Sequence, residues 1–173
     1  MPTEHITDKA IYDRVVQEMV VEATNYVWIA TADIKDMYVN KGNRMAPFLG
    51  VLSDMIEKGV SVRLLHAKEP GPNFRKDFDR FPALIDGLER MLCPRIHFKS
   101  VIVDGKRAYT GSANLTGAGM GAKSEHRRNF ESGILTDDPL MVKSIMSQFD
   151  QVWIGGHCEA CGRKQYCPDC PLD

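Results

Sequence analysis

Residues 44–65 read RMAPFLGVLSDMIEKGVSVRLL, and this stretch decides the fold. Phe48, Leu52, Met55 and Ile56 recur at helical spacing, so an apolar stripe predicts a helix over 44–58. Gly59 follows where the residue just past a helix end is most often glycine. Val60-Ser61-Val62-Arg63-Leu64-Leu65 then reads as a strand. A helix, a glycine and an apolar strand in direct succession are the repeating unit of a layered α/β fold with parallel strands.

Working outward, residues 8–24 place Ile11, Val15 and Met19 on one helix face, and Tyr26 to Ala30 form a short apolar run of strand formers. Residues 69–74 (EPGPNF) cannot continue either element, because two prolines and a glycine interrupt the backbone pattern. Residues 75–92 predict a weaker helix, interrupted near Pro82. Ile96 to Val103 and Arg107 to Thr110 read as strands joined at Asp104-Gly105-Lys106, since Asp-Gly between extended runs is a strong hairpin signal. The GAGMG run at 117–121 is too glycine-rich for a stable element. Phe130 to Thr136 reads as a strand, Pro139 to Trp153 as an amphipathic helix, and Gly155-Gly156 as a boundary. The expected organisation is one domain over 1–154 and a cysteine-bearing tail over 155–173.

The totals agree with this layout. The 173 residues are 43% hydrophobic and 26% charged, enough for one core. A net charge of −1 excludes a molecule that coats nucleic acid with its whole surface. Charged residues break up the first thirty positions, so no secretory signal is expected there. No apolar run is long enough to span a bilayer. A cytoplasmic protein without stable membrane insertion is the expectation. Four of the five cysteines fall in the last sixteen residues, which suits a metal site in a reducing compartment better than a disulfide framework.

The chemistry gathers on HFKSVIVDGKRAYTGSAN, His97 to Asn114. Residues two apart on a strand share a face, so His97 and Lys99 project together. Gly111 and Ser112 end the return strand, where Gly-Ser allows a sharp turn, and Asn114 follows. His66-Ala67-Lys68 has the same local pattern without the rest, and reads as an exposed strand end. At the hairpin six positions fit one spacing: His97, Lys99, Asp104, Gly111, Ser112 and Asn114.

This spacing resembles the signature of the phospholipase D superfamily, His-x-Lys-x4-Asp-x6-Gly-Ser-x-Asn, and Glu131 stands on the downstream strand where the family carries an acidic residue. The resemblance implies a layered α-β-α fold with a mixed, largely parallel sheet. It implies phosphodiester cleavage through a phosphohistidine: His97 as nucleophile, a second histidine as general acid and base, Lys99 and Asn114 on the phosphate oxygens, and Glu131 orienting the imidazole. Ser112 would support the phosphate pocket or the histidine, while Asp104 and Gly111 would be structural. No cofactor is needed for that scheme. A single motif implies a homodimer in which the two His97 side chains meet on a two-fold axis.

Residues 95–128 hold seven basic and two acidic residues, a net +5, so the rest of the chain carries −6. That local excess favours a nuclease acting on DNA or RNA. A phospholipid hydrolase or phosphatidyl transferase is the alternative, and a non-catalytic nucleic-acid-binding module a third reading. In the tail, Cys158, Cys161, Cys167 and Cys170 form two Cys-x2-Cys pairs, expected to hold a structural Zn²⁺, with an iron–sulfur cluster as a lesser alternative. Cys93 reads as a buried small hydrophobe outside that set.

Overall fold

The computed structural model describes residues 3–35 and 37–172. Its centre is a seven-stranded sheet in the order β1-β9-β8-β7-β2-β5-β6, with a separate hairpin of β3 and β4. The strands are β1 (Glu4–Thr7), β2 (Tyr26–Thr31), β3 (Tyr38–Lys41), β4 (Arg44–Pro47), β5 (Ser61–His66), β6 (Leu88–Leu92), β7 (Lys99–Val103), β8 (Arg107–Gly111) and β9 (Ser132–Thr136). The sheet is mixed, as expected, but mostly antiparallel rather than largely parallel, because the hairpin and the edge strand β1 add antiparallel pairs. Parallel pairing is confined to β2–β5 and β5–β6, and the four other pairs are antiparallel.

Helices cover both faces. Helix α1 runs over Lys9–Ile11 and continues with wider, π-type winding through Tyr12–Val20; α2 spans Phe48–Glu57. Both pack on one face, where Val15, Met19, Leu52 and Met55 meet Ile29, Val101, Tyr109 and Leu135. Helix α5 (Pro139–Trp153) lays Val142 and Phe149 on the other face against Ala30, Ile102 and Ala108. Asp138 caps it, its carboxylate accepting from Met141 N–H at 2.9 Å. The short helices α3 (Pro72–Phe78) and α4 (Pro82–Gly87) lie between β5 and β6.

Several expectations change. Residues 44–47 are a strand, and the helix begins at Phe48. The weak helix over 75–92 resolves into α3, α4 and then an edge strand, because Leu88–Leu92 pairs in parallel with β5. Strand β1 adds a further edge, antiparallel to β9. His66 is not at an exposed strand end. It is fully buried, its Nδ1 is 2.7 Å from the Lys68 carbonyl, and its Nε2 has no partner. Burial lowers its pKa, which favours the neutral ring. No helix among the described residues is long and apolar enough to cross a membrane.

One turn holds the sheet centre in register. Asp104 and Gly105 both take positive φ, 53° and 63°, as a tight hairpin requires. The Asp104 carboxylate then accepts from the backbone N–H groups of Thr24, Asn25 and Tyr26 and from the Thr24 hydroxyl, at 2.8–2.9 Å. Burial alone would raise the pKa of Asp104, but these donors outweigh it and bring it down to about 2. A carboxylate with a depressed folded pKa contributes stability above its unfolded pKa and loses it as pH falls through the folded value. Asp104→Ala should therefore lower Tm at neutral pH. The difference from wild type should shrink as pH falls from about 4 towards 2 in thermal melts. A constant difference across that range would refute the assignment.

Candidate active site

The site forms where β7, β8 and β9 end together. Lys99 pairs with Gly111, and Gly111 with Gly133. Continuing that register by two residues places His97, Ala113 and Glu131 in the next row on the same face. Strand alternation thus delivers His97 and Lys99 to one face, the reading the sequence suggested.

Lys99 is buried, at 8% exposure. Its ammonium donates to the His97 carbonyl at 2.6 Å and lies 3.5 Å from His97 Nδ1, a contact too long for a strong hydrogen bond. Among the described residues no carboxylate pairs with Lys99. A buried ammonium without a counter-charge is costly, and a bound anion would offset that cost. His97 itself is exposed.

Asn114 is set by its acceptor end. Its Oδ1 takes hydrogen bonds from Ala32 N–H and Asp33 N–H, both at 3.1 Å, and lies 3.4 Å from the Thr31 hydroxyl. Two backbone donors identify that atom as oxygen, which leaves the amide NH₂ as a donor for a ligand. Two such hydrogens and one ammonium are donors of the kind that suit phosphate oxygens.

Glu131 is held by Ser112 and Asn129. The Ser112 hydroxyl donates to Oε2, and Asn129 Nδ2 donates to Oε1 at 3.0 Å. The Glu131 backbone N–H also donates to Asp8 Oδ1 at 2.9 Å. The bond to the imidazole that the family resemblance implies is not formed in this state. Ser112 therefore stands beside the carboxylate and accepts from Ser132 N–H at 3.1 Å. Asp104 is at the far end of the hairpin, five residues from Lys99 and so roughly 17 Å away along the strand.

Gly111 differs from its sequence reading. Its φ is not positive, so conformational freedom is not the reason for glycine. A Cβ there would lie 2.4 Å from the Tyr109 hydroxyl and 2.5 Å from the Ser132 carbonyl. At Gly133 a Cβ would lie 2.4 Å from the Tyr109 ring. The two glycines make room for Tyr109, whose ring forms the floor beneath the site. Burial, together with the nearby Glu131 charge, pushes the phenol up to about 12. Nothing in sequence spacing singled out Tyr109; the pair Gly111 and Gly133, opposite each other on neighbouring strands, was its only trace.

The basic stretch 95–128 does not form one surface. Arg107 pairs with Glu22 at 2.6 Å, and Lys106 shares the turn end of the hairpin, far from His97. Arg95 reaches Cys161 Sγ at 3.5 Å. Lys99 is inside the site and Lys123 in the loop after Asn114.

The tail also departs from expectation. Cys158, Cys161, Cys167 and Cys170 converge on a cavity of about 320 Å³ that Cys93 also lines. They do not close on one point: among the described residues no group of three or more His, Cys, Asp or Glu is arranged to hold a metal ion. Cys158 meets Cys170, while the other two sulfurs face partners outside the set. Cys161 accepts from Arg95, and the Cys167 thiol lies 3.7 Å from the Leu92 carbonyl. Asp169 anchors the tail to β6 by accepting from Leu92 N–H at 2.7 Å.

Residues 16–153 match the family model described as "Cardiolipin synthase, PLD-like domain". The chain is 29% identical over 104 residues to the mitochondrial cardiolipin hydrolase of Chlamydomonas reinhardtii, covering 60% of this chain and 44% of that relative. It therefore spans less than half that relative's length. In structure it is similar to Nuc of Salmonella typhimurium, a phospholipase D family member, with a TM-score of 0.64, 17% identity, and 87% and 93% of the two chains covered. NucT from Helicobacter pylori superimposes with a TM-score of 0.60 at 14% identity, over 86% and 94%.

The Asn114 geometry separates its two ends. Asn114→Asp keeps the acceptor for Ala32 and Asp33 but replaces the NH₂ donors with negative charge. It should melt near wild type and lose phosphate-dependent stabilisation. Asn114→Ala leaves two N–H groups unpaired and should cost about 1–3 kcal/mol in denaturant unfolding.

Proposed function

Because the chain belongs to the phospholipase D superfamily, a family of phosphodiester-cleaving enzymes, we propose that it is a nuclease working through a phosphohistidine in a homodimeric site. The observation that carries this reading is the buried, carboxylate-free Lys99 beside an exposed His97, with the Asn114 amide turned donor-end outward.

A neutral His97 imidazole nitrogen attacks phosphorus. The P–N bond forms as the bond to the leaving oxygen breaks, and that oxygen takes a proton from a second histidine. Water then gives its proton back to that histidine and attacks phosphorus, which breaks the P–N bond and frees His97. Lys99 and the Asn114 NH₂ stabilise the negative charge that grows on the non-bridging oxygens. Glu131 turns from Ser112 towards the imidazole and fixes its orientation. His97 of a second copy supplies the acid, since the chain carries one motif. The catalytic domain spans 1–154, and the cytoplasm is its proposed location.

Two features favour polynucleotide over lipid. Lys35 and Lys123 line a cleft next to the Asn114 segment and Lys68 pairs with Asp33 beside it, and the fold is similar to that of Nuc and NucT. The first is the stronger, because the structural likeness speaks to fold alone.

The tail is proposed to bind a structural Zn²⁺ after rotation of its cysteine side chains. The two Cys-x2-Cys pairs and their convergence on one cavity support this. Purified full-length chain should then contain about one zinc per protomer, and chelation should lower Tm.

An alkaline denaturing quench during turnover of single-stranded DNA should trap a DNA-phosphoryl group on His97, and His97→Asn should lose at least about 10³-fold in rate. Light scattering should show a dimer. A fully active monomer, or lipid turnover without any nucleic-acid turnover, would overturn the reading.

A further inference from the structure

A cleft of about 420 Å³ opens beside Asn114. Asp33 and Lys35 from the segment after β2, Thr116 to Ala118, Lys123 and Asn73 are among the residues that line it. The cleft is stitched to the phosphate-binding asparagine. Asp33 N–H donates to Asn114 Oδ1, and Lys35 N–H donates to the Leu115 carbonyl at 3.1 Å. Thr116 is two residues from Asn114, a step of at most about 7 Å.

Its charge is unbalanced. Lys35 and Lys68 share the single Asp33 carboxylate, at 3.5 and 3.8 Å, and both lysines are about two-thirds exposed. Lys123 lies over Gly117, its Cε 3.5 Å from where a Cβ would stand. Among the described residues the lining holds two ammonium groups and one carboxylate, and Lys68 adds a third ammonium from beside it. Pairs this exposed and this long are weak and readily exchanged for a better anion. The glycine-rich run thus has a use. Gly117 provides a low wall over which Lys123 can reach.

We propose that this cleft binds the phosphate groups of a polynucleotide strand next to the scissile one, with Lys35 and Lys123 as their counter-charges and Lys68 reinforcing Lys35. This deepens the nuclease reading and rests on it. The large apolar side chains of the lining, Ile34 and Phe74, are both buried at 3% exposure, so the groups free to meet a ligand at its charged side are the lysines. Strand binding by point charges predicts a salt signature, since each neutralised phosphate releases counterions.

The test uses the full chain carrying His97→Asn, so that binding is read without turnover. Fluorescence anisotropy with a single-stranded DNA 20-mer is measured across a salt series, with and without Lys35→Ala plus Lys123→Ala. The lysine changes should weaken binding at least tenfold at low salt. They should also reduce the slope of log affinity against log salt by about 1.4, two charges at about 0.7 each. Lys35→Arg plus Lys123→Arg should restore both quantities. Unchanged affinity and slope would overturn the proposal, as would a loss that arginine does not restore. Lysine-dependent binding to cardiolipin-containing vesicles without binding to the 20-mer would also overturn it. Failure to trap phosphate on active His97 would instead sink the mechanism, and leaves this binding measurement readable.

Discussion

The Asp104 carboxylate carries the rest of the structure. Its bonds to Thr24, Asn25 and Tyr26 join the β7–β8 turn to the start of β2, the strand beside β7. Strand side chains alternate, so a slip of one residue would send His97 and Lys99 to the α5 face. Fixing the turn fixes the register, and the register decides which residues meet at the opposite end of the hairpin. The motif aspartate acts on chemistry that it never touches.

What pattern could reveal was mostly local. Helix α5, strands β2, β5, β7, β8 and β9, and the Asp-Gly hairpin all show in periodicity or turn chemistry. Strand β6 did not, because Leu88–Leu92 follows a proline-started helix and earns its place only by pairing with β5. The site behaved similarly. His97, Lys99, Ser112, Asn114 and Glu131 were legible as a spacing, and the fold brings them to one end of the sheet. The partners that orient them were not. Thr31, Ala32 and Asp33 reach Asn114 from more than eighty residues away, and Tyr109 covers Gly133 of the neighbouring strand.

Charge was the least legible property. A basic run in sequence is one surface only if the chain keeps it together, and a hairpin does the opposite. Strands β7 and β8 carry Lys99 and Lys106 to opposite ends, and Arg107 is paired with Glu22. The cationic entrance instead draws Lys35 and Lys68 from the ends of β2 and β5, where parallel strands finish side by side. Open α/β sheets collect ligand sites at such strand ends because neighbouring loops diverge there and leave a crevice.

Burial of Lys99 links stability to function. An ammonium without a carboxylate weakens the free protein, and a carboxylate placed beside it would relieve that cost. On the proposed mechanism it would also occupy the position of the phosphate and repel it. Glu131, the nearest carboxylate to the motif in the sheet register, is instead held by Ser112 and Asn129. The hydroxyl and amide donors hold the carboxylate away from Lys99, so it does not neutralise that ammonium. Leaving one cation unsatisfied while satisfying the adjacent anion is the arrangement expected of a pocket whose missing partner is the substrate.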